Sequence, residues 1–225
     1  MRVSRSKQGW VIKQIMGTGF LLEDTRGLGV TARHVMRDLA DASVDTDAIP
    51  AALFAPPSGG WEFRRVVAHE LHPSEDAALF RLEDDDYFSP YSLVADEQYA
   101  SAHYALWGYP EDIQHEKMGE GGGLRPDLVY SEGHIRRRIS GSLPIRTIPG
   151  ESFFELSTPA GSCCSGAPVS ICGPKIWSIV GIYVGELRNE ANTLAVGYAT
   201  RAAALVERWP ALFTNDTDSS SVCPA

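Results

Sequence analysis

Residues 161–169 read GSCCSGAPV. Small residues surround Ser165 and Pro168 fixes the exit, which describes a tight turn feeding a strand. A serine or cysteine at the apex of such a turn presents its side chain outward. The surrounding N–H groups then converge on one point and form a hole for an oxyanion. Gly166 and Ala167 leave room for a substrate to approach closely. Metal and disulfide readings of the paired thiols are weaker. Neighbouring cysteines rarely bridge each other because the geometry is strained. Zinc ligand pairs sit two to four residues apart, with a second pair elsewhere. Cys163, Cys164, Cys172 and Cys223 show neither pattern. They read as free thiols of a reducing compartment, and no metal or other cofactor is expected.

A nucleophile needs a base, and the base needs an orienting acid. Upstream, His34 ends a strand-like run in GVTARHV, ahead of a helical turn at VMRDLADA. Asp76 stands at the head of an apolar strand in HPSEDAALFRLE, with Glu75 beside it as the substitute acid. The chain order is therefore His34, Asp76, Ser165. HELH at 69–72 has its histidines three apart, whereas a metalloprotease helix needs four. In a strand they point to opposite faces.

The rest of the sequence supplies a scaffold of short strands. It has 225 residues, with 21 glycines and 14 prolines, which favours many turns and short elements. GWVIKQIMGTGFLLED, EFRRVVAHELH, HYALWGYP, DLVYSEGHIRRRIS, SFFELST, IWSIVGIYVGE and LAVGYA read as strands or strand pairs. One helix is expected at ATRAAALVERW, residues 199–209. HIRRRIS is expected to place Arg136 and Arg138 on one face and Arg137 on the other. GEGGGLRPD lacks the Lys-Ser/Thr of a phosphate loop and reads as a surface loop. EDDD at 83–86 reads as a solvated loop, and TNDTDSSSVCPA as a disordered tail.

Twenty-nine acids against twenty bases give a net charge of −9. Such a chain gains no counterion-release energy from a phosphate backbone, so nucleic acid is not expected as a partner. The polar start MRVSRSKQGW carries no apolar signal region. No run approaches the roughly 20 apolar residues of a spanning helix. A soluble, cytoplasmic protein is expected, with no membrane partner.

GTGFLL…VTARHV, EDAALFRL and CSGAPVSI…IVGIYVGE together resemble the three motif blocks of the trypsin-like (chymotrypsin-fold) serine peptidases. The likeness is to the bacterial Htr-type and glutamyl-endopeptidase-like branch and spans about residues 9–205. It implies an all-β fold of two antiparallel six-stranded β-barrels with a C-terminal helix. The expected division is residues 1–95 for the barrel carrying His34 and Asp76, 96–213 for the barrel carrying Ser165, and 214–225 for the tail. The resemblance assigns His34 as general base, Asp76 as orienting acid and Ser165 as nucleophile. It assigns the N–H groups of Cys163 and Ser165 to the oxyanion hole. It puts the base of the specificity pocket near Pro159 and Ala160, with Ile182 and Tyr183 in the wall. Gly181 to Gly185 is the segment expected to pair with an extended substrate. No acid lies at the pocket base, so a small or medium apolar side chain is expected there. His134 is the alternative contact, for an acidic one.

The sequence departs from that family at Cys163, where glycine is usual, and at Cys164, where Asp or Asn is usual. A side chain at 163 makes the oxyanion-hole backbone costlier. Two functions are therefore carried forward. One is an intracellular serine endopeptidase acting on a protein or peptide substrate, with an activating protein partner. The other is a protease-fold peptide-binding module with a latent site.

Overall fold

A computed structural model describes residues 1–6, 9–23, 25–41, 49–54, 62–84, 87, 89–110, 116–117, 124–125, 127–171, 177–189, 191 and 195–213. Two sheets, antiparallel except where β8 runs parallel to β15, account for nearly all of it. The first contains β1 (Arg2–Ser6), β2 (Gly9–Gln14), β3 (Gly19–Leu21), β4 (Leu28–Thr31), β5 (Ile49–Phe54), β6 (Glu62–Leu71) and β7 (Ala78–Leu82). The second contains β8 (Ser92–Leu93), β9 (His103–Gly108), β12 (Val129–Ser140), β13 (Ser152–Leu156), β14 (Pro168–Ile171), β15 (Ser178–Arg188) and β16 (Ala195–Arg201). A two-stranded ladder, β10 (Glu116–Lys117) and β11 (Leu124–Arg125), lies outside both.

The second sheet runs β14-β9-β12-β13-β16-β15, and β14 pairs back onto β15. It is thus a closed six-stranded barrel without a free edge along that circuit. The first sheet runs β2-β1-β5-β6-β7-β4-β3 and remains a half-barrel among the described residues. The expected all-β, chymotrypsin-like class is borne out.

Burial explains why these segments are strands. Ser178–Val184 is almost continuously buried, as suits the wall between a barrel core and the facing sheet. In β7 only Arg81 faces solvent. One apolar cluster crosses between the sheets: Phe20, Val30 and Leu79 pack with Ile179, Ile182, Leu205 and Trp209. Another joins Ala32 and Val35 to Leu143, Phe153, Val184 and Tyr198. These two clusters fix the sheets against each other, and the clefts between them inherit that rigidity.

The α-helix, α1 (Arg33–Ala40), lacks a side-chain cap at its start. Its stability comes from burying Val35, Met36 and Leu39. At its other end the Arg2 guanidinium donates to the carbonyls of Asp38 and Asp41. A cation there satisfies carbonyls the helix leaves open and opposes the negative end of its dipole.

The terminal helix expected over residues 199–209 does not form. Ala199–Arg201 are the end of β16, paired with β13 and β15. Two short 3-10 turns, Ala202–Leu205 and Pro210–Leu212, follow. Ala, Leu and Arg do prefer helix, but two ladder partners outweigh a propensity worth tenths of a kcal/mol per residue. The alternation expected in HIRRRIS also fails. A bulge between Ile135 and Arg137 lets Arg136 and Arg137 both pair with Glu155, while Arg138 reaches Glu97. In the acidic run, Asp84 pairs with Arg64 and Glu83 accepts the Arg65 N–H. Asp85, Asp86, Cys172, Cys223, most of the Gly-rich loop and the tail lie outside the described residues.

Candidate active site

His34 opens α1, and Asp76 sits in the turn between β6 and β7. The structure brings them together. The His34 ring Nδ1 lies 2.7 Å from Asp76 Oδ2, and the His34 backbone N–H donates to Asp76 Oδ1 at 2.9 Å. Both carboxylate oxygens of a fully buried residue are spent on one histidine. Nδ1 must carry the proton to donate, so Nε2 is left as the acceptor.

The turn under Asp76 has its own support. His72 Nδ1 accepts the N–H of Glu75 at 3.0 Å and of Ser74 at 3.4 Å. Its buried Nε2 has no conventional partner. The ring packs edge-to-face with Trp209 at 5.0 Å. Burial first, then Arg208 and Arg33, push the His72 pKa below its ordinary value. The unfolded chain therefore takes up this proton before the folded one. Its contribution is complete above about pH 6.5 and is lost as pH falls toward the lowered folded value. His72→Asn keeps an acceptor near Nδ1 and removes the titration. Thermal unfolding at pH 7 and pH 5 is expected to show a smaller drop in Tm for the variant than for the parent.

Glu75 is not a second acid for His34. Its carboxylate crosses to the other sheet and accepts the N–H groups of Glu151 and Ser152 at 3.3 to 3.4 Å. Burial raises its pKa. Of the other histidines considered, His69 is exposed on β6. His134 is stacked on His103 on an exposed face of the second barrel, at 5.0 Å.

Ser165 lies in the turn between β13 and β14. That turn is fastened to β15 by Gly166 N–H to the Tyr183 carbonyl at 2.7 Å, and by Tyr183 N–H to the Ala167 carbonyl at 2.9 Å. The Ser165 hydroxyl donates to the Val184 carbonyl at 3.2 Å. It makes no hydrogen bond to His34, so the structure pairs His34 with Asp76 and leaves Ser165 turned away. Cys163 adopts φ +65°, the left-handed backbone that glycine would take without strain. A left-handed residue within a turn gathers successive N–H groups on one concave side. The Ser165 N–H donates to no group of the described protein. Cys164 is buried, its thiol 3.1 Å from the Ala160 carbonyl.

The pocket residues need correction. Gly181 and Ile182 pair with β14 on one flank and β16 on the other, and Ile182 has no exposure. No substrate backbone can pair there. Beyond Tyr183 the β14 flank ends, while β15 continues against β16 through Arg188. The open flank is thus Val184–Glu186, overlapping only the end of the expected segment, because β14 pairs with β15 no further than Ile182. Tyr183 is buried, and its hydroxyl accepts the Ala160 N–H at 3.0 Å. Pro159 and Ala160 are half-buried beside it.

Sequence reading missed Glu186. From the open flank its Oε2 accepts the Gly161 N–H at 3.1 Å and lies 3.4 Å from the Tyr183 hydroxyl. Its Oε1 accepts from Arg188 Nε at 2.8 Å. A carboxylate therefore stands between the two walls expected to be neutral. Thr18 and Tyr109 were also missed. Thr18 N–H donates to the Ser165 carbonyl at 2.8 Å, and its hydroxyl donates to the Cys163 carbonyl at 3.0 Å. The Tyr109 N–H donates to that same hydroxyl at 3.1 Å.

Comparison with known proteins bears on this arrangement. The trypsin-like peptidase domain family matches residues 17–182. No curated protein matches the sequence. Among solved structures, Deg5 superposes with a TM-score of 0.61 at 15% identity, covering 92% of this chain and 84% of that one. The HtrA-type protease AlgW with a decapeptide gives 0.58 at 15% identity, covering 86% of this chain and 51% of that one. The present chain thus spans about half the length of AlgW. The active form of the Rv3671c protease from M. tuberculosis gives 0.56 at 15% identity, covering 100% and 84%.

Proposed function

The chain belongs to the trypsin-like peptidase family, and from that premise we propose that it is a serine endopeptidase with His34 as base, Asp76 as orienting acid and Ser165 as nucleophile. The observation that carries this reading is the doubly bonded His34–Asp76 pair, which leaves Nε2 as a proton acceptor. For attack, the Ser165 side chain rotates from the Val184 carbonyl to His34. Exposed side-chain rotations take picoseconds to nanoseconds, and catalytic hydrogen bonds are often long or misaligned without substrate.

Ser165 Oγ then adds to the peptide carbonyl carbon as His34 Nε2 takes its proton. The carbonyl oxygen becomes an oxyanion held by the N–H groups of Cys163 and Ser165. His34 returns the proton to the departing amine, leaving an acyl-enzyme. Water, deprotonated by His34, attacks the ester and restores Ser165. The substrate backbone lies in extended form along Val184–Glu186, adding a strand to the open flank. Activation by a protein partner, in the cytoplasm, completes the proposal.

The second reading is a binding module with a latent site. It is favoured by the Ser165 hydroxyl bonded to Val184 and by the non-glycine residue at 163. A fluorophosphonate probe distinguishes the two, because it reacts only with an activated serine. Peptide mapping by mass spectrometry is expected to find one adduct on Ser165, and none on Cys163 or Cys164. Folded protein that takes up no probe would establish the latent module instead.

A further inference from the structure

Arg136 and Arg137 are consecutive on β12 and in a regular strand would face opposite sides of the sheet. The bulge between Ile135 and Arg137 turns both to one face. There Arg136 Nη1 lies 3.1 Å from Glu155 Oε1, and Arg137 donates through Nε and Nη2 to Glu155 Oε2 at 3.0 and 2.8 Å. The Glu155 side chain is 7% exposed, whereas those of Arg136 and Arg137 are 43% and 66% exposed. A single guanidinium can meet both oxygens of a carboxylate, so the second cation is more than Glu155 needs. Two positive charges against one negative leave the cluster at +1, on a chain whose net charge is −9. Arg136 Nε and Nη2 and Arg137 Nη1 make no hydrogen bond to a described residue. Glu155 holds both side chains in place, so a second anion arriving there finds them already ordered.

The cluster is joined to the open flank of β15 by an apolar floor. Leu187, Val196 and Tyr198 line the same depression as the two arginines. Leu187 directly follows Val184–Glu186, pairs with Val196 and is 40% exposed. Its side chain takes the face opposite that of Glu186. A peptide seated on the flank antiparallel to β15, as β14 and β16 are, has its scissile bond at the Val184 end, where Ser165 lies. Its upstream residues then run out past Glu186 toward Leu187. Glu155 stands two strands from β15, in the order β13-β16-β15. With neighbouring strands ~4.8 Å apart, the peptide crosses roughly 14 Å to reach it, or about four to five extended residues. The flank itself takes up about three, so the residue that arrives is about the seventh or eighth before the scissile bond.

We propose that Arg136 and Arg137 form a distal subsite for a carboxylate side chain carried by the substrate upstream of the scissile bond, reached over the floor of Leu187, Val196 and Tyr198. This rests on the peptidase reading and on the peptide lying along β15. Aspartate or glutamate is the residue that fits, because its oxygens take the guanidinium N–H groups that Glu155 leaves.

Peptidyl phosphonate esters that add to Ser165 fix the register for the test. Two reagents are compared, identical except for Glu or Gln at the seventh and eighth positions before the phosphonate. Each is made with lysine and, in a separate set, with norleucine beside the phosphonate. The second-order rate of Ser165 modification is read in the full chain, with thermal melts of every variant. The Glu reagent is expected to react at least tenfold faster than the Gln reagent. Raising the salt from about 50 to about 500 mM is expected to narrow that ratio at least threefold, because exposed charges are screened. Arg136→Gln and Arg137→Gln each leave Glu155 one cation, and each is expected to cut the ratio at least threefold. Replacing both together with Glu155→Gln leaves no buried charge unpaired and is expected to bring the ratio within twofold of one. Arg138→Gln removes a charge from the same strand, but its partner is Glu97, and the ratio is expected to stay within twofold of the parent's. A merely structural loss slows both reagents alike and leaves their ratio where it was.

Equal rates for the two reagents in the parent overturn the proposal. So does a ratio that survives in the Arg136, Arg137 and triple variants. Should those variants not fold, the salt series on the parent decides, and a ratio that salt leaves unchanged overturns the idea. Failure of every peptidyl reagent on a Ser165 that the fluorophosphonate still labels overturns it too, because the peptide then does not lie along β15. Absence of any fluorophosphonate adduct in the parent overturns the peptidase reading itself, and this inference with it.

Discussion

Asp76→Asn is expected to lower kcat/KM by about 10⁴ while leaving the protein folded. The size follows from how completely the carboxylate is used. Oδ2 holds the His34 ring and Oδ1 holds the His34 backbone N–H, with the acid fully buried. Asparagine offers one oxygen and one NH₂, but both partners are donors. The backbone N–H cannot adapt, and an unpaired buried donor costs about 1–3 kcal/mol. The imidazole can adapt, by moving its proton to Nε2. The NH₂ therefore faces the ring, and Nε2 becomes a donor that cannot take the Ser165 proton. Steady-state rates on a peptide substrate, with the fluorophosphonate labelling rate beside them, measure this. A loss below tenfold would mean that another group orients His34. Glu75→Gln is the matched control: its carboxylate serves the Glu151 and Ser152 amides, so its replacement is expected to alter stability more than rate.

What the sequence made legible follows from how local each feature is. His34, Asp76 and Ser165 each sit in a short motif at a strand end, and three short motifs in order sufficed to find them. Glu186 and Gly161 are far apart in sequence and meet only because β15 runs past the nucleophile turn. Nothing near Glu186 marks it as facing Gly161 rather than water. Thr18 goes unmarked within a run that reads as a strand pair, because a hydroxyl between two glycines has no signature until its partners at 109 and 163 are in place. The early end of β14 moved the open flank of β15 from Gly181 to Val184, and a bulge in β12 turned Arg136 and Arg137 toward the same carboxylate. A bulge inserts one residue and reverses the faces beyond it, so alternation counted along the sequence fails there. The terminal helix failed differently: residues 199–201 have good helix propensity, yet pairing with β13 and β15 decides their conformation.

Glu186 changes what the site is expected to cut. Its carboxylate lies against Gly161 and Tyr183, between the walls expected to receive the substrate side chain that precedes the scissile bond. An apolar side chain there would strip water from a charge without replacing it, which is costly. An acidic one would face like charge. A lysine side chain would bury its methylenes along the wall and give its ammonium a partner. Arg188 already sets a cation on Oε1, its side chain half exposed at 49%. It occupies the place a substrate cation would take, and it is exposed enough to swing aside. Hydrogen bonds to charged groups contribute about 1.5–3 kcal/mol, which corresponds to roughly 10- to 150-fold in rate ratio. Peptide substrates differing only by lysine or norleucine at that position isolate the ammonium, since norleucine has the same chain length. Lysine is expected to be preferred at least tenfold in kcat/KM, and Glu186→Gln is expected to bring the ratio close to one. Arg188→Ala should move it the other way, toward stronger preference, because the internal cation no longer competes. A parent protein that cuts norleucine as well as lysine would place the Glu186 carboxylate outside the path of the substrate side chain, and the apolar preference expected from Pro159 and Ala160 would then stand.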